Sequence, residues 1–143
     1  ARAEIEGFAD KRERWRRLTP IMPRKPKLNG FILTTRRYIH HFTTGELSMR
    51  SKVLREIEPE PLVLMNPSDY EKLGRPQRIR IKNSMGVLEA KVKVEPLVSA
   101  GFIVAPFHYS SLPVNSIIPL QLDPLSFEPN LKYVEVEVEK LEE

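Results

Sequence analysis

The chain of 143 residues contains no cysteine. Disulfides, iron–sulfur clusters and thiolate zinc sites are therefore excluded from it. Long apolar runs are missing too: no stretch approaches the roughly 18 residues that mark a membrane-spanning helix, and the N-terminus shows no charged-then-apolar signal pattern. A phosphate loop is ruled out, because no helix is preceded by the required glycines and lysine. No glycine-flanked elbow surrounds the serines of "HYSS" (108–111), so a serine nucleophile has no support. Internal repeats and a βαβ rhythm are likewise absent.

What is present is enough chain for about one domain with its own core. The formal charge is +4 and the pI about 9.4, which permits an anionic partner. Lys and Arg crowd the stretch before residue 40, whereas the tail "VEVEVEKLEE" is acidic, so the charge is polarised. The first residue is alanine, and a processed or excised piece of a longer protein is expected. With no span or signal visible, the expected setting is soluble and cytoplasmic.

Residues 3–18 read as a short hairpin, with Ile5 and Phe8 before a polar turn and Trp15 and Leu18 after it. "TPIMPRKPK" follows, where three prolines remove backbone donors and favour extended geometry. Residues 1–27 thus form a hairpin and linker, and a barrel domain occupies 28–143. In that domain "GFILTT" and "EPLVLM" read as strands, the second apolar enough to be covered on both faces. "NPSDYEKLG" reads as a two-turn helix, with Asn66 as N-cap, Pro67 at the first helical position, Asp69 in the first turn and Gly74 as the stop. A second helix is placed over "SKVLREI" (51–57). "RIRIKNSMGVLEAKVKVE" (78–95) alternates about a turn at Asn83 to Gly86, where Gly86 can supply a positive φ. "GFIVAPF" (101–107) and "KYVEVEVEK" (132–140) complete at least six strands. The sum is a mainly β barrel or sandwich with short helices and long ordered loops. The two polar insertions, 34–51 and 108–131, each leave the end of an apolar strand, and they share a rim if those strands are neighbours.

The first insertion belongs to "FILTTRRYIHHFTTGELSMRS", which holds two adjacent histidines, four threonines and three arginines. Adjacent residues of an extended segment face opposite ways, so His40 and His41 are not expected to share a metal. His108, taken alone, reads as a partly buried histidine satisfied by backbone groups. Arginine forks, hydroxyls and flexible backbone at Gly45 suit an anion, with a solvated basic rim as the plain alternative. Nucleic-acid binding is the rival, because "KRERWRR" interleaves arginines with an aromatic. A stand-alone assembly module is the third possibility.

Six segments resemble one family in order and spacing: "LTTRRYIHHFTTGELSMRS", "EPEPLVLMNPSDYEKLG", "RIRIKNSMGVLEAKVKV", "PLVSAGFIVAPFHYSS", "VNSIIP" and "DPLSFEPNLKYVEVEVEK". The family is the C-terminal, molybdopterin-dinucleotide-binding domain of molybdopterin oxidoreductases, and the pattern looks most like the formate dehydrogenase large subunit. The resemblance, over residues 28–140, implies a double-psi β-barrel that closes over molybdopterin guanine dinucleotide. By position it implies contacts from Thr34, Thr35, Arg36 and Arg37, then His41, Thr44, Gly45 and Arg50, then His108, Asn115 and Lys132. Arg36 stands where the family commonly has glycine, and Thr43 where a second histidine is frequent. Catalytic residues and the ligand of the molybdenum or tungsten are implied to lie in other domains or a catalytic subunit. The chain alone is therefore expected to be inactive, without nucleic acid as a partner.

Overall fold

The structure, a computed structural model, describes residues 30–124 and 127–141. The hairpin expected at 3–18 and the linker over 19–27 lie outside the described residues. Among the described residues six strands close into a barrel: β1 (Phe31–Arg36), β2 (Leu62–Met65), β3 (Arg78–Asn83), β4 (Gly86–Val94), β5 (Phe102–Pro106) and β6 (Val134–Lys140). Their order around the barrel is β1-β5-β2-β4-β3-β6. Two short helices, α1 (Lys52–Ile57) and α2 (Pro67–Lys72), and two 3-10 turns, Ser48–Arg50 and Val114–Ile117, decorate it. No helix among the described residues is long and apolar enough to cross a membrane.

The strands follow from their side chains. In β6 the valines at 134 and 136 turn into the barrel while Glu135, Glu137 and Glu139 face out, as a period of two demands. β2 buries Val63, Leu64 and Met65 in succession, because it is flanked by β4 and β5 and covered on both faces. With Ile79, Ile81 and Ile103 these residues fill the interior and exclude water from it.

Register decides where the loops go. β1 runs parallel to β5, with Leu33 opposite Ile103 and Arg36 opposite Pro106, so both strands leave the barrel at the same rim. β2 is antiparallel to β5 and β6 antiparallel to β1. The chain therefore re-enters the barrel from that rim after each excursion. The segments 37–61 and 107–133 share one rim, as the sequence allowed.

The opposite rim is held by α2. Asn66 Oδ1 accepts the Ser68 N–H at 2.8 Å, and Gly74, at φ +79, lets the Arg75 N–H reach back to Tyr70 O. Asn66 Nδ2 also donates to Val98 O at 2.6 Å, and buried Asp69 accepts the Gly101 N–H at 2.6 Å. The helix thus fixes the turn that feeds β5.

Two sequence expectations need correction. Gly86 is not among the residues with positive φ. Instead the Asn83 side chain shapes the β3–β4 turn, its Oδ1 accepting from the N–H groups of Met85 and Gly86, as an Asx turn does. A Cβ at Gly86 would stand 3.4 Å from Ile117 Cγ2, an ordinary contact, so packing does not demand glycine there. The late loop is also not wholly free of local structure, since it contains the Val114–Ile117 turn and a bridge between Leu122 and Pro129.

Candidate functional site

At the shared rim the chain after β1 turns rather than extends. Gly45 N–H bonds to Phe42 O and Met49 N–H to Gly45 O, both at 2.8 Å, with Thr43 at φ 47 and Gly45 at φ 78. This turn presses against the start of the late loop, where a Cβ on Gly45 would lie 2.7 Å from His108 O. Only glycine satisfies both the backbone angle and the contact.

His108 is the bolt between the two loops. Its Nε2 accepts the Tyr38 N–H at 2.9 Å, so the ring proton resides on Nδ1, which donates to Thr43 O. Both nitrogens are spent on main chain. The ring cannot act as a base for Ser110 or Ser111, and the backbone-satisfied reading of His108 is the one the structure shows.

His41 is enclosed as well. Ser48 Oγ donates to Gly45 O at 3.1 Å and hence accepts from His41 Nδ1–H at 3.0 Å. Tyr109 sets its ring edge-on to His41, with centroids 5.5 Å apart, and donates its hydroxyl to Glu58 O at 3.0 Å. The opposed-faces argument for the two histidines fails, because the chain turns and bends at 39–41 instead of extending. His40 Nδ1 and His41 Nε2 instead lie 3.6 and 3.9 Å from the two oxygens of Glu58. Among the described residues no group of three or more His, Asp or Glu could hold a metal ion.

Burial, with Tyr38 and Glu58 adding to it, pushes the Tyr109 hydroxyl up to about 12. The folded protein keeps this proton after the unfolded chain, near the ordinary value of about 10, has released it. Its contribution to stability is complete below about pH 10 and is lost as pH rises towards about 12. Urea midpoints should fall across that window, and less steeply in Tyr109→Phe.

Between the loops lies a cleft of about 510 Å³, walled by Thr44, Gly45, Glu46, Met49 and Arg50 on one side and by Phe107, His108, Tyr109, Ser110 and Ser111 on the other. Of the residues singled out from sequence, Thr44, Gly45, Arg50 and His108 line it. Arg37 stands at its margin, its guanidinium 5.8 Å from the centre of the Phe107 ring. Arg36 turns elsewhere. It lies 4.7 Å over the Tyr38 ring and borders a separate hollow of about 240 Å³ with Glu58 and Lys93. Thr34 and Thr35 remain in β1, and Lys132 Nζ donates to Thr35 O at 2.7 Å and to Thr35 Oγ1 at 2.9 Å. Asn115 is exposed in the Val114–Ile117 turn. Neither Lys132 nor Asn115 lines the cleft. Ser110, Ser111 and Phe107 escaped sequence reasoning as lining residues of this cleft, although their place directly after β5 mirrors that of Arg37 after β1.

Residues 31–135 match the family described as Molydopterin dinucleotide binding domain. The chain belongs to that family. This molybdopterin-dinucleotide-binding domain is 32% identical over 113 residues to the F420-dependent formate dehydrogenase subunit alpha of Methanocaldococcus jannaschii, covering 78% of this chain and 17% of that subunit. It is 31% identical over 111 residues to the F420-dependent formate dehydrogenase 1 subunit alpha of Methanococcus maripaludis, covering 76% of this chain and 16% of that subunit. The chain spans about one-sixth of the length of these curated relatives. Among solved structures, acetylene hydratase from Pelobacter acetylenicus shares its fold, with a TM-score of 0.64 at 22% identity over 78% of this chain and 18% of that one.

Proposed function

We propose that the rim cleft receives the anionic dinucleotide of molybdopterin guanine dinucleotide, as part of a molybdenum or tungsten oxidoreductase of formate dehydrogenase type. The observation that carries the reading is the cleft's donor set. Arg50 lies in one wall and Arg37 at the margin, and Thr44, Ser110 and Ser111 add hydroxyls to the lining. Guanidinium forks and hydroxyls suit phosphate and ribose oxygens. Glu46 is the one carboxylate among the lining residues. The family match and the formate dehydrogenase relatives agree with the cofactor class.

In this reading Arg37 and Arg50 neutralise phosphate charge and the three hydroxyls orient the ligand. His108, itself a lining residue, ties the two walls together, and His41 braces one of them from behind through Ser48. The Lys132–Thr35 clamp fixes the end of β1, from which Arg37 departs. When bound, the cofactor supplies a redox-active metal. This chain supplies binding and orientation, and the remaining domains or catalytic subunit supply the metal's protein ligand. The double-psi form of the barrel belongs to the same reading, supported by the two parallel pairs β1–β5 and β2–β4. A cytoplasmic setting goes with it.

The test is cofactor content in the intact oxidoreductase carrying Arg37→Ala, Thr44→Ala and Arg50→Ala together. Each lost charged contact is worth about 1.5 kcal/mol or more, so retained cofactor should fall at least about tenfold. All three residues are exposed, so the thermal midpoint should hold. Full cofactor content in the triple variant would overturn the assignment.

A further inference from the structure

Both ring nitrogens of His41 face acceptors. On the Nδ1 side the Ser48 hydroxyl has its proton on Gly45 O, so it turns only a lone pair to the ring, at 3.0 Å. On the Nε2 side the Tyr109 hydroxyl gives its proton to Glu58 O, and its oxygen stands 3.4 Å from the ring. Glu58 Oε2, 3.9 Å from the same nitrogen, is buried and accepts no hydrogen bond from the described residues. The His41 side chain is 0% exposed, so bulk water does not supply a donor in their place. A neutral imidazole offers one N–H and one lone pair, and here that lone pair would point at other lone pairs.

We propose that His41 is a buried imidazolium paired with Glu58, and that this pair positions the Gly45 wall of the cleft in a proton-dependent way. The charge on the ring follows from the hydrogen bonds alone, whereas its effect on cofactor rests on the reading of the cleft given above. A charge taken out of water needs a partner, and Glu58 is the carboxylate within reach. His40 Nδ1, also buried and without a hydrogen bond, stands 3.6 Å from Glu58 Oε1, so the carboxylate serves two imidazoles. Of the other rings against His41, Tyr38 meets it only by its tilted face, with centroids 6.5 Å apart, and His108 spends both nitrogens on main chain. Arg36 from β1 and Lys93 from β4 border the hollow that Glu58 lines, against one further carboxylate, Glu60. That net positive setting suits an anion. The charge on His41 strengthens its donation to Ser48 Oγ, which in turn holds Gly45 O, and Gly45 lies in the cleft wall. When pH rises and the second proton leaves, Nε2 faces only acceptors and the wall loses its brace.

The test begins with nitrogen NMR of the full chain labelled in histidine, which has three imidazoles to resolve. At about pH 6, within the range where histidine titrates, His41 should carry protons on both nitrogens in wild type and in Glu58→Asp. Glu58→Gln should leave it only the Nδ1 proton, and His108, with one proton on Nδ1, is the internal reference. In the intact oxidoreductase, cofactor retained on dialysis should fall about tenfold between about pH 6 and about pH 9, the effect of one charge-assisted hydrogen bond. Glu58→Asp should keep that fall and Glu58→Gln should flatten it, because an amide can donate to a neutral His41 at either pH. A singly protonated His41 at about pH 6 in wild type would overturn the proposal, as would one pH profile shared by wild type and Glu58→Gln. Full cofactor in the Arg37, Thr44 and Arg50 variant would remove the cleft reading instead, and the ring spectrum would still decide the pair.

Discussion

Valine in place of Gly45 is expected to remove about 2–4 kcal/mol of stability and to empty the cleft of cofactor in the intact enzyme. A branched side chain at φ 78 is strained by about 1–2 kcal/mol from the backbone angle alone. The clash adds to this, since the new Cβ would stand 2.7 Å from His108 O, closer than non-bonded atoms approach. The loops must part to relieve it. That movement pulls His108 away from Tyr38 N–H and Thr43 O, leaving buried polar groups unsatisfied. Urea unfolding would report the first effect and retained cofactor the second. A wild-type midpoint in Gly45→Val would mean that this turn is not pressed against the late loop.

Truncation of Ile103 to alanine is the second large effect. This side chain is fully buried, and its strand joins β1 on one side to β2 on the other, with Leu33 and Met65 as its register partners. Cutting a buried isoleucine to alanine costs about 2–5 kcal/mol, from lost burial and the cavity left behind. Against a total stability of roughly 5–15 kcal/mol for an ordinary domain, that is a large share. The expected result is a lower urea midpoint with an unchanged slope. A loss below about 1 kcal/mol would show that the barrel interior closes over the gap.

The parts of this fold that were legible in sequence are those whose causes are local. Helix α2 could be read because Asn66, Pro67, Asp69 and Gly74 sit within one short segment. Strand β6 could be read because its alternation continues without a break. The shared rim was legible only as a condition, since the parallel pairing of β1 with β5 joins strands far apart in the chain and leaves no period in either.

Misreadings arose where a distant group took over a local job. Asn83 replaced Gly86 in shaping the hairpin turn because its side chain could bond both the turn and Ile117 O. Lys132 and Thr35 are 97 positions apart, so the clamp between them is invisible to any window of sequence. The two histidines converge on Glu58 because the chain turns at 38–41, where the His41 N–H bonds to Tyr38 O, instead of extending. The opposite headings of Arg36 and Arg37 could have been anticipated, because neighbours at a strand end point to opposite faces.

His108 spans the gap between the cleft walls with its two ring nitrogens, each committed to a main-chain atom of the opposing loop. An imidazole has one fixed width, so the opening it holds is a gauge rather than a jaw. On the proposed reading ligands are sorted by whether they fit the gap as it stands, and Gly45, where a side chain would push the walls apart, sets its calibre together with the ring.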